Sequence, residues 1–573
     1  MIRLRMGALL SAAAILFAAC GQTTTSGAPS VAPGSVAPES VAPESQAPAV
    51  KEGGTLVAAM PGDISRSDSA LIDDSNSSWV MNNVMEGLVG LKPGTTGEVI
   101  PVLAESWTIS DDALSYTFKL RQNVKFHDGT DFNADAVKVN YDRWLNIPQA
   151  YIDAEYTYYM DTVLGHGDKS NLESVTVNSP TEIVLKLRAP NSAFLLTQTL
   201  VPFAIASPKA LEDGKANDPD FTKNTYAQGG PTAMTGTGPF KFKEWIVGDH
   251  ITVDKNPDYW DTTNAAHLDS VVFRIILDST ATLNALQTEG EVDIAQTISP
   301  IDAASAAGDP NLQAIDRGSS CNLFQLSMNQ THKPFDNLKI REAVAYAVNK
   351  QALVDAFYGG EAGAVVADNW MPVGTISYKP LDLPKYDPDK AKALIAESGV
   401  TDLSFEFWYP DTSRPYAPDI KGEFEALLSD LEAVGFKPTP KTAPFRPDYL
   451  ANSSGGKYPA WVLGWTCDWQ GPDNFLNTAF FGYRDRSDKT FGPNEEFAYK
   501  NDAMWDAMDK ALKTTDPAEA DQLWQQAQDL IRADMPTVPL VSSKPPAAAK
   551  AYVKGFVPAG NLTELMQTVW LDK

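Results

Sequence analysis

Residues 464–477, GWTCDWQGPDNFLN, set one carboxylate between two indoles, with Trp465 shortly before Asp468 and Trp469 directly after it. Dehydrating a lone carboxylate beside two tryptophans is costly unless a cation meets it, so the stretch is suited to receiving an amine at the floor of a binding site. A plainer alternative makes both tryptophans core and lets Asp468 open the loop that Gly471, Pro472 and Asp473 continue. Taken alone, the stretch leaves both readings open.

Catalytic chemistry finds little support elsewhere. No GxSxG elbow, HExxH helix, P-loop, EF-hand loop or CxxC pair occurs, and the five histidines (His127, His166, His250, His267 and His332) are dispersed rather than set at metal-ligand spacing. His127 and Asp128 are adjacent, but neighbouring side chains rarely meet in dyad geometry, and Gly129 makes a turn the simpler account. Carboxylate pairs such as Asp73-Asp74 and Asp111-Asp112 arise by chance in so acidic a chain. The expectation is a binder, not an enzyme, with no catalytic residue, no metal and no cofactor.

The chain that positions this stretch has 573 residues and 43% hydrophobic content, enough for large buried cores and more than one lobe. A formal net charge of -27 works against nucleic acid or an anionic membrane surface as partner, and no run of mixed basic and aromatic residues appears. Arg3 and Arg5 precede an apolar run over 7–19 that is too short to span a bilayer comfortably, so 1–19 reads as an export signal. Small residues before Cys20 resemble the bacterial lipoprotein cleavage box, which implies lipidation of Cys20; Phe17 stands where that box usually has leucine. Residues 20–52 repeat SVAP from Ser30, Ser35 and Ser40 and hold no aromatic residue, the composition of a semi-stiff tether. Beyond Cys20 only Cys321 and Cys467 remain, expected as two small buried thiols, although export permits one bridge.

Along the folded part, 55–59 reads as a short buried strand, and the Ser/Asp/Asn-rich residues 63–78 as a loop at a cleft lip before a helix near 79–86. Tyr116, Phe118 and Leu120 alternate with Thr117, Lys119 and Arg121, a half-buried strand, and Asn133 is placed to cap a helix carrying Val137, Tyr141 and Trp144. Gly236, Gly238 and Pro239 shape a turn into a strand over 240–245. A helix over 339–357 stacks Ile340, Ala343, Val344, Ala347 and Val348 on one face, and VVFRIIL at 271–277 reads as an apolar strand.

Three stretches carry a resemblance: residues 102–144, residues 236–261 (GTGPFKFKEWIVGDHITVDKNPDYWD) and residues 324–354 (FQLSMNQTHKPFDNLKIREAVAYAVNKQALV). In this order they closely resemble the family 5 extracellular solute-binding proteins, the dipeptide and oligopeptide receptors of ABC importers, and the resemblance runs from about residue 55 to the C-terminus. It implies a two-lobed α/β fold of the periplasmic-binding-protein type (type II, cluster C). Lobe I would take 53–277 with a subdomain inserted at about 89–220, lobe II 278–540, and 541–573 would return to lobe I. The two crossings would form a hinge that closes on ligand. The resemblance further implies a monomeric receptor, lipid-anchored on the extracytoplasmic face, that delivers short peptides to a permease and its ATPase subunits. The same fold also serves sugars, opines and metal chelates, or a surface sensor or adhesin.

Position by position, residues 464–477 are similar to the peptide receptors. The resemblance gives Asp468 the peptide's α-ammonium, makes Trp465 a cleft wall, pairs the backbone of Gly464 and Cys467 with the bound peptide, and leaves Trp469 with the core. Main-chain pairing explains how such a site tolerates varied side chains. Ser75, on the first lobe's edge, and Trp370, in NWMPVG, complete the cleft candidates. For a peptide's C-terminal carboxylate, Arg414 or Arg446 would serve, and the sequence does not choose between them.

Overall fold

Strands rich in Val, Ile, Phe and Ala pair into two large mixed sheets in a computed structural model that describes residues 49–95, 97–318, 320–483 and 499–573. The expected signal at 1–19, the lipidated Cys20 and the tether up to residue 48 lie outside the described residues. The tether ends sooner than residue 52. Lys51 pairs with Asp572 at 2.9 Å and Glu52 with Lys255 at 3.0 Å, so both already belong to the folded part.

The first sheet runs in the order Leu312–Ile315, Ala547–Lys550, Ile294–Ala295, Thr55–Met60, Ser270–Ile275, His250–Lys255, Phe240–Ile246. At its centre Thr55–Met60 lies parallel to Ser270–Ile275, with Leu56, Ala58, Met60, Val271 and Phe273 buried, because parallel strands are covered on both faces. A four-stranded antiparallel sheet (Ala104–Ile109, Ser115–Leu120, Glu182–Leu187, Leu172–Ser179) forms the inserted subdomain. Tyr116, Phe118 and Leu120 point into its core beside Tyr141 and Trp144 of helix Ala134–Leu145, and Asn133 Oδ1 caps that helix by accepting from Ala136 N at 3.0 Å. His127 is half-buried at the start of an exposed turn with Nε2 3.1 Å from Gly238 O, and burial pushes its imidazole down to about 4; the Asp128 carboxylate accepts from Thr130 and Ser207 instead, so the two make no dyad.

The second sheet has the order Ala364–Val366, Thr537–Ser543, Asn322–Met328, Ala460–Thr466, Ser404–Pro410, Lys437–Ala443. This order moves both expected lobe boundaries. Ile294–Ala295 and Leu312–Ile315 still pair within the first sheet, so the chain crosses after residue 315 rather than at 277. All of Thr537–Ser543 pairs within the second sheet, so the return comes at 544–546 rather than at 540.

Two helices differ from expectation. The segment 339–357 is two helices, Leu338–Ala347 and Lys350–Phe357: Val348 is extended, and Asn349 caps the second helix through Ala352 N at 3.1 Å while its own N–H meets Asp430. The helix expected near 79–86 is Ser75–Met81, started by Asp74, whose side chain accepts from Ser77 N. Cys321 and Cys467 are a disulfide with Cα atoms 5.2 Å apart, not two thiols, because the Cys321 end of Asn322–Met328 lies against the end of Ala460–Thr466. Among the described residues no helix is long and apolar enough to cross a membrane.

Candidate functional site

Between the two sheets lies a cleft of about 2430 Å³, walled by the first sheet, the inserted subdomain, the second sheet and the C-terminal loop. Residues 463–466 of the strand Ala460–Thr466 line the cleft on the second side. One edge of that strand pairs along its whole length with Asn322–Met328, whereas the other meets Ser404–Pro410 only at Ala460 and Trp461. Antiparallel ladder bonds alternate, and Cys467 N donates to Cys321 O at 2.7 Å. The Gly464 N–H and C=O therefore face the edge that no strand covers among the described residues, while the Cys467 N–H is turned away from it. The Cys467 N–H is therefore not available for the expected pairing with a peptide, and the residue reaches the cleft wall as half of a disulfide. A Cβ on Gly464 would come within 2.6 Å of Tyr416 Cγ, so glycine is what lets that ring close over the strand.

Asp468 follows this strand and is half-buried in the cleft. Its Oδ1 accepts from Tyr159 Oη at 2.8 Å, and its Oδ2 accepts from Tyr158 Oη at 3.2 Å and Asn474 Nδ2 at 3.1 Å. Asn474 Oδ1 in turn accepts from Asp468 N and Trp465 Nε1, both at 3.0 Å, so one amide aims the carboxylate and the indole wall together. Burial raises the Asp468 carboxyl above its ordinary value, the three donors pull it back, and nearby Asp73 pushes it up again. Sequence reasoning missed Tyr158, Tyr159 and Asn474. Asn474 lies within the stretch first singled out, but the tyrosines come from the inserted subdomain, 310 and 309 residues away.

Other expected residues scatter. Trp465 and Ser75 line the cleft, each half-buried. Trp370 does not: it is 0% exposed, donates from Nε1 to Thr537 Oγ1 at 2.7 Å, meets Phe481 edge-on, and is core because its one polar atom is satisfied inside the second lobe. Trp469 is core as well, but it packs into the buried cluster of the inserted subdomain and donates to Asp473, whose carboxyl burial raises to about 6. Arg446 pairs across the cleft with Asp73 at 3.5 Å. Arg414 lines the cleft with its guanidinium 4.2 Å over Phe445, its Nε buried without a hydrogen-bond partner and no ion pair among the described residues.

A second cleft carboxylate, Glu86, accepts from Thr237 Oγ1 at 2.7 Å, Trp260 Nε1 at 2.8 Å and Tyr259 Oη at 2.7 Å. Burial nevertheless pushes it up to about 7 from an ordinary 4.5. In that window the folded chain holds a proton that the unfolded chain has released, so stability is fully present below pH 4.5 and falls as pH rises toward 7. Glu86→Gln keeps an acceptor but cannot ionise. Urea unfolding at a series of pH values should show a shallower decline across this window, and an unchanged slope would assign the decline to other groups.

A model of the bacterial extracellular solute-binding proteins, family 5 Middle, matches residues 98–487. The chain is 33% identical over 465 residues to di/tripeptide-binding protein 1 of Pseudomonas aeruginosa, covering 78% of this chain and 81% of that protein. It is 31% identical over 505 residues to heme-binding protein A of Haemophilus influenzae, covering 86% of this chain and 87% of that one. Among solved structures, it is similar to the ABC transporter-associated periplasmic binding protein DppA of Helicobacter pylori in complex with the peptide STSA. The TM-score is 0.76 and the identity 28%, over 91% of this chain and 99% of that one.

Proposed function

Since the chain belongs to the bacterial extracellular solute-binding proteins of family 5, we propose that it captures short peptides outside the cytoplasmic membrane for an ATP-driven importer. The observation that carries this reading is a half-buried carboxylate, Asp468, held by three hydrogen-bond donors beside the uncovered edge of Ala460–Thr466. A peptide's α-ammonium meets Asp468 in a charge-assisted contact that strengthens as water leaves the cleft. Its main chain pairs with the free edge at Gly464, which is common to all peptides and so indifferent to their side chains. Arg446 is engaged by Asp73, so the terminal carboxylate falls to Arg414, whose guanidinium has no carboxylate of its own among the described residues. Tyr158 and Tyr159 reach Asp468 from the opposite lobe, so the same carboxylate serves ligand and closure.

In this reading the receptor works as a monomer held to the extracytoplasmic face by lipid on Cys20, passes its cargo to a permease with ATPase subunits, and performs no chemistry. Mass spectrometry of small molecules released from the purified protein tests it. A ladder of short peptides with free amino termini is expected, and a single sugar, haem or metal chelate in their place would replace the peptide reading.

A further inference from the structure

The two segments that join the lobes run side by side and are tied on both flanks. On the second-lobe side Ser320 Oγ donates to Ser543 O at 2.6 Å. On the first-lobe side the tie is Arg317, fully buried together with Glu564. Its Nε donates to Pro545 O at 2.7 Å, its Nη1 to Ala559 O at 2.7 Å and to Glu564 Oε1, and its Nη2 to Gln296 O. One guanidinium thus spans the outgoing crossing, the returning crossing, the first sheet and the C-terminal loop. That loop is itself cleft wall: Ala559, Leu562 and Glu564 line the cavity, and Gln296 Nε2 holds Leu562 O at 2.8 Å and Glu564 Oε2 at 3.0 Å.

Stability alone is a poor account of this arrangement, since a buried ion pair rarely outperforms a well-packed apolar pair of similar size. A planar fork with five donors is suited instead to fixing several carbonyls in one geometry. The chain supplies what such a fork needs. Pro545 and Pro546 have no N–H and a restricted φ, Lys544 N is fixed to Gly363 O at 2.7 Å, and Ile298 N holds Pro546 O at 2.9 Å. The returning crossing is therefore stiff, and Arg317 fastens the outgoing one to it.

We propose that Arg317 is a positioning residue for ligand capture: by locking both crossings to the C-terminal cleft loop, it makes the lobes swing about one axis and so sets how often the cleft is closed. It touches no ligand. The inference rests on the hinged-receptor reading above, and the experiment separates the two. Arg317→Lys keeps a charge beside Glu564 but lacks the fork that reaches Pro545, Ala559 and Gln296 together. Spin labels on cysteines introduced at the exposed Lys243 and Lys421, one in each lobe of the full chain, report the inter-lobe distance without added peptide.

The expected result for Arg317→Lys is a broadened distance distribution whose closed peak falls about tenfold, with an equal loss of apparent trialanine affinity, because apparent affinity scales with the competent fraction. Glu564→Gln, which leaves an acceptor without the anchoring charge, should shift the distribution the same way by less, and decides the matter should the lysine variant not fold. A lowered thermal midpoint with an unchanged distance distribution would overturn the proposal and leave Arg317 a mere structural prop. Failure of trialanine to bind the parent protein would strike at the peptide reading alone, because the distances are read without it.

Discussion

Asp468→Asn is expected to weaken trialanine binding by about 2 to 5 kcal/mol while leaving the fold intact, the range for truncating one partner of a buried charged pair. The asparagine is isosteric and its oxygen still accepts from a tyrosine hydroxyl, but its amide offers donors where Tyr158 and Asn474 already donate, and the charge that an ammonium needs is gone. Burial raises the Asp468 carboxyl, so losing the charge relieves a desolvation cost that the donor clash at Asn474 offsets, and the thermal midpoint should change little. Calorimetric titration with trialanine and with its N-acetylated form makes the assignment specific. The parent protein should discriminate strongly between the two, and the variant should not. Equal affinity of variant and parent for trialanine would remove Asp468 from the ammonium site.

Removing the disulfide is the second large effect. In the chain-entropy account a cross-link closing 146 residues stabilises by about 5 kcal/mol, so Cys321→Ser with Cys467→Ser should lower the unfolding free energy read from urea titration by up to that amount. Position adds a second consequence. Cys321 ends the outgoing crossing and Cys467 directly precedes Asp468, so the bridge fixes the ligand loop to the hinge segment. Peptide affinity should therefore fall in the double variant under conditions where it remains folded, and treatment of the parent protein with a phosphine reductant should reproduce the loss. An unchanged affinity would make the bridge a staple of the second lobe and nothing more.

Local patterns were legible where one physical rule dominated. Period-two alternation placed Tyr116, Phe118 and Leu120 in a core, and a single asparagine cap placed the start of helix Ala134–Leu145. The stretch at 464–477 drew attention because a carboxylate between indoles is chemically conspicuous. What escaped was mostly pairing at long range. Ile294–Ala295 is two residues long and Leu312–Ile315 four, too short to show a period, so the lobe boundary fell at the longer apolar strand before them. Asn349 breaks a helix without being glycine or proline, by taking a cap role that a continuous apolar face conceals. Trp370 is expected in the cleft and Trp469 in the core, yet both are buried. Nothing local to Trp370 shows that its indole N–H finds Thr537, 167 residues away, whereas the partner of Trp469, Asp473, lies within the same stretch.

Trp469 also bears on how cargo leaves. Its indole belongs to one lobe and is buried in the hydrophobic cluster of the other, beside which Ser192 N bonds Leu512 O at 2.8 Å from lobe to lobe. Separation of the lobes must return a ring of roughly 150 to 250 Å² to water, at the same moment as Asp468 loses its two tyrosine donors. Such a debt slows departure rather than arrival, and differences in residence time are carried chiefly by the off-rate. Left to itself the loaded receptor should unload slowly, so rapid transfer calls for an outside agent that pries the indole free, and the difference in tryptophan emission between the parent protein and Trp469→Phe would time that event.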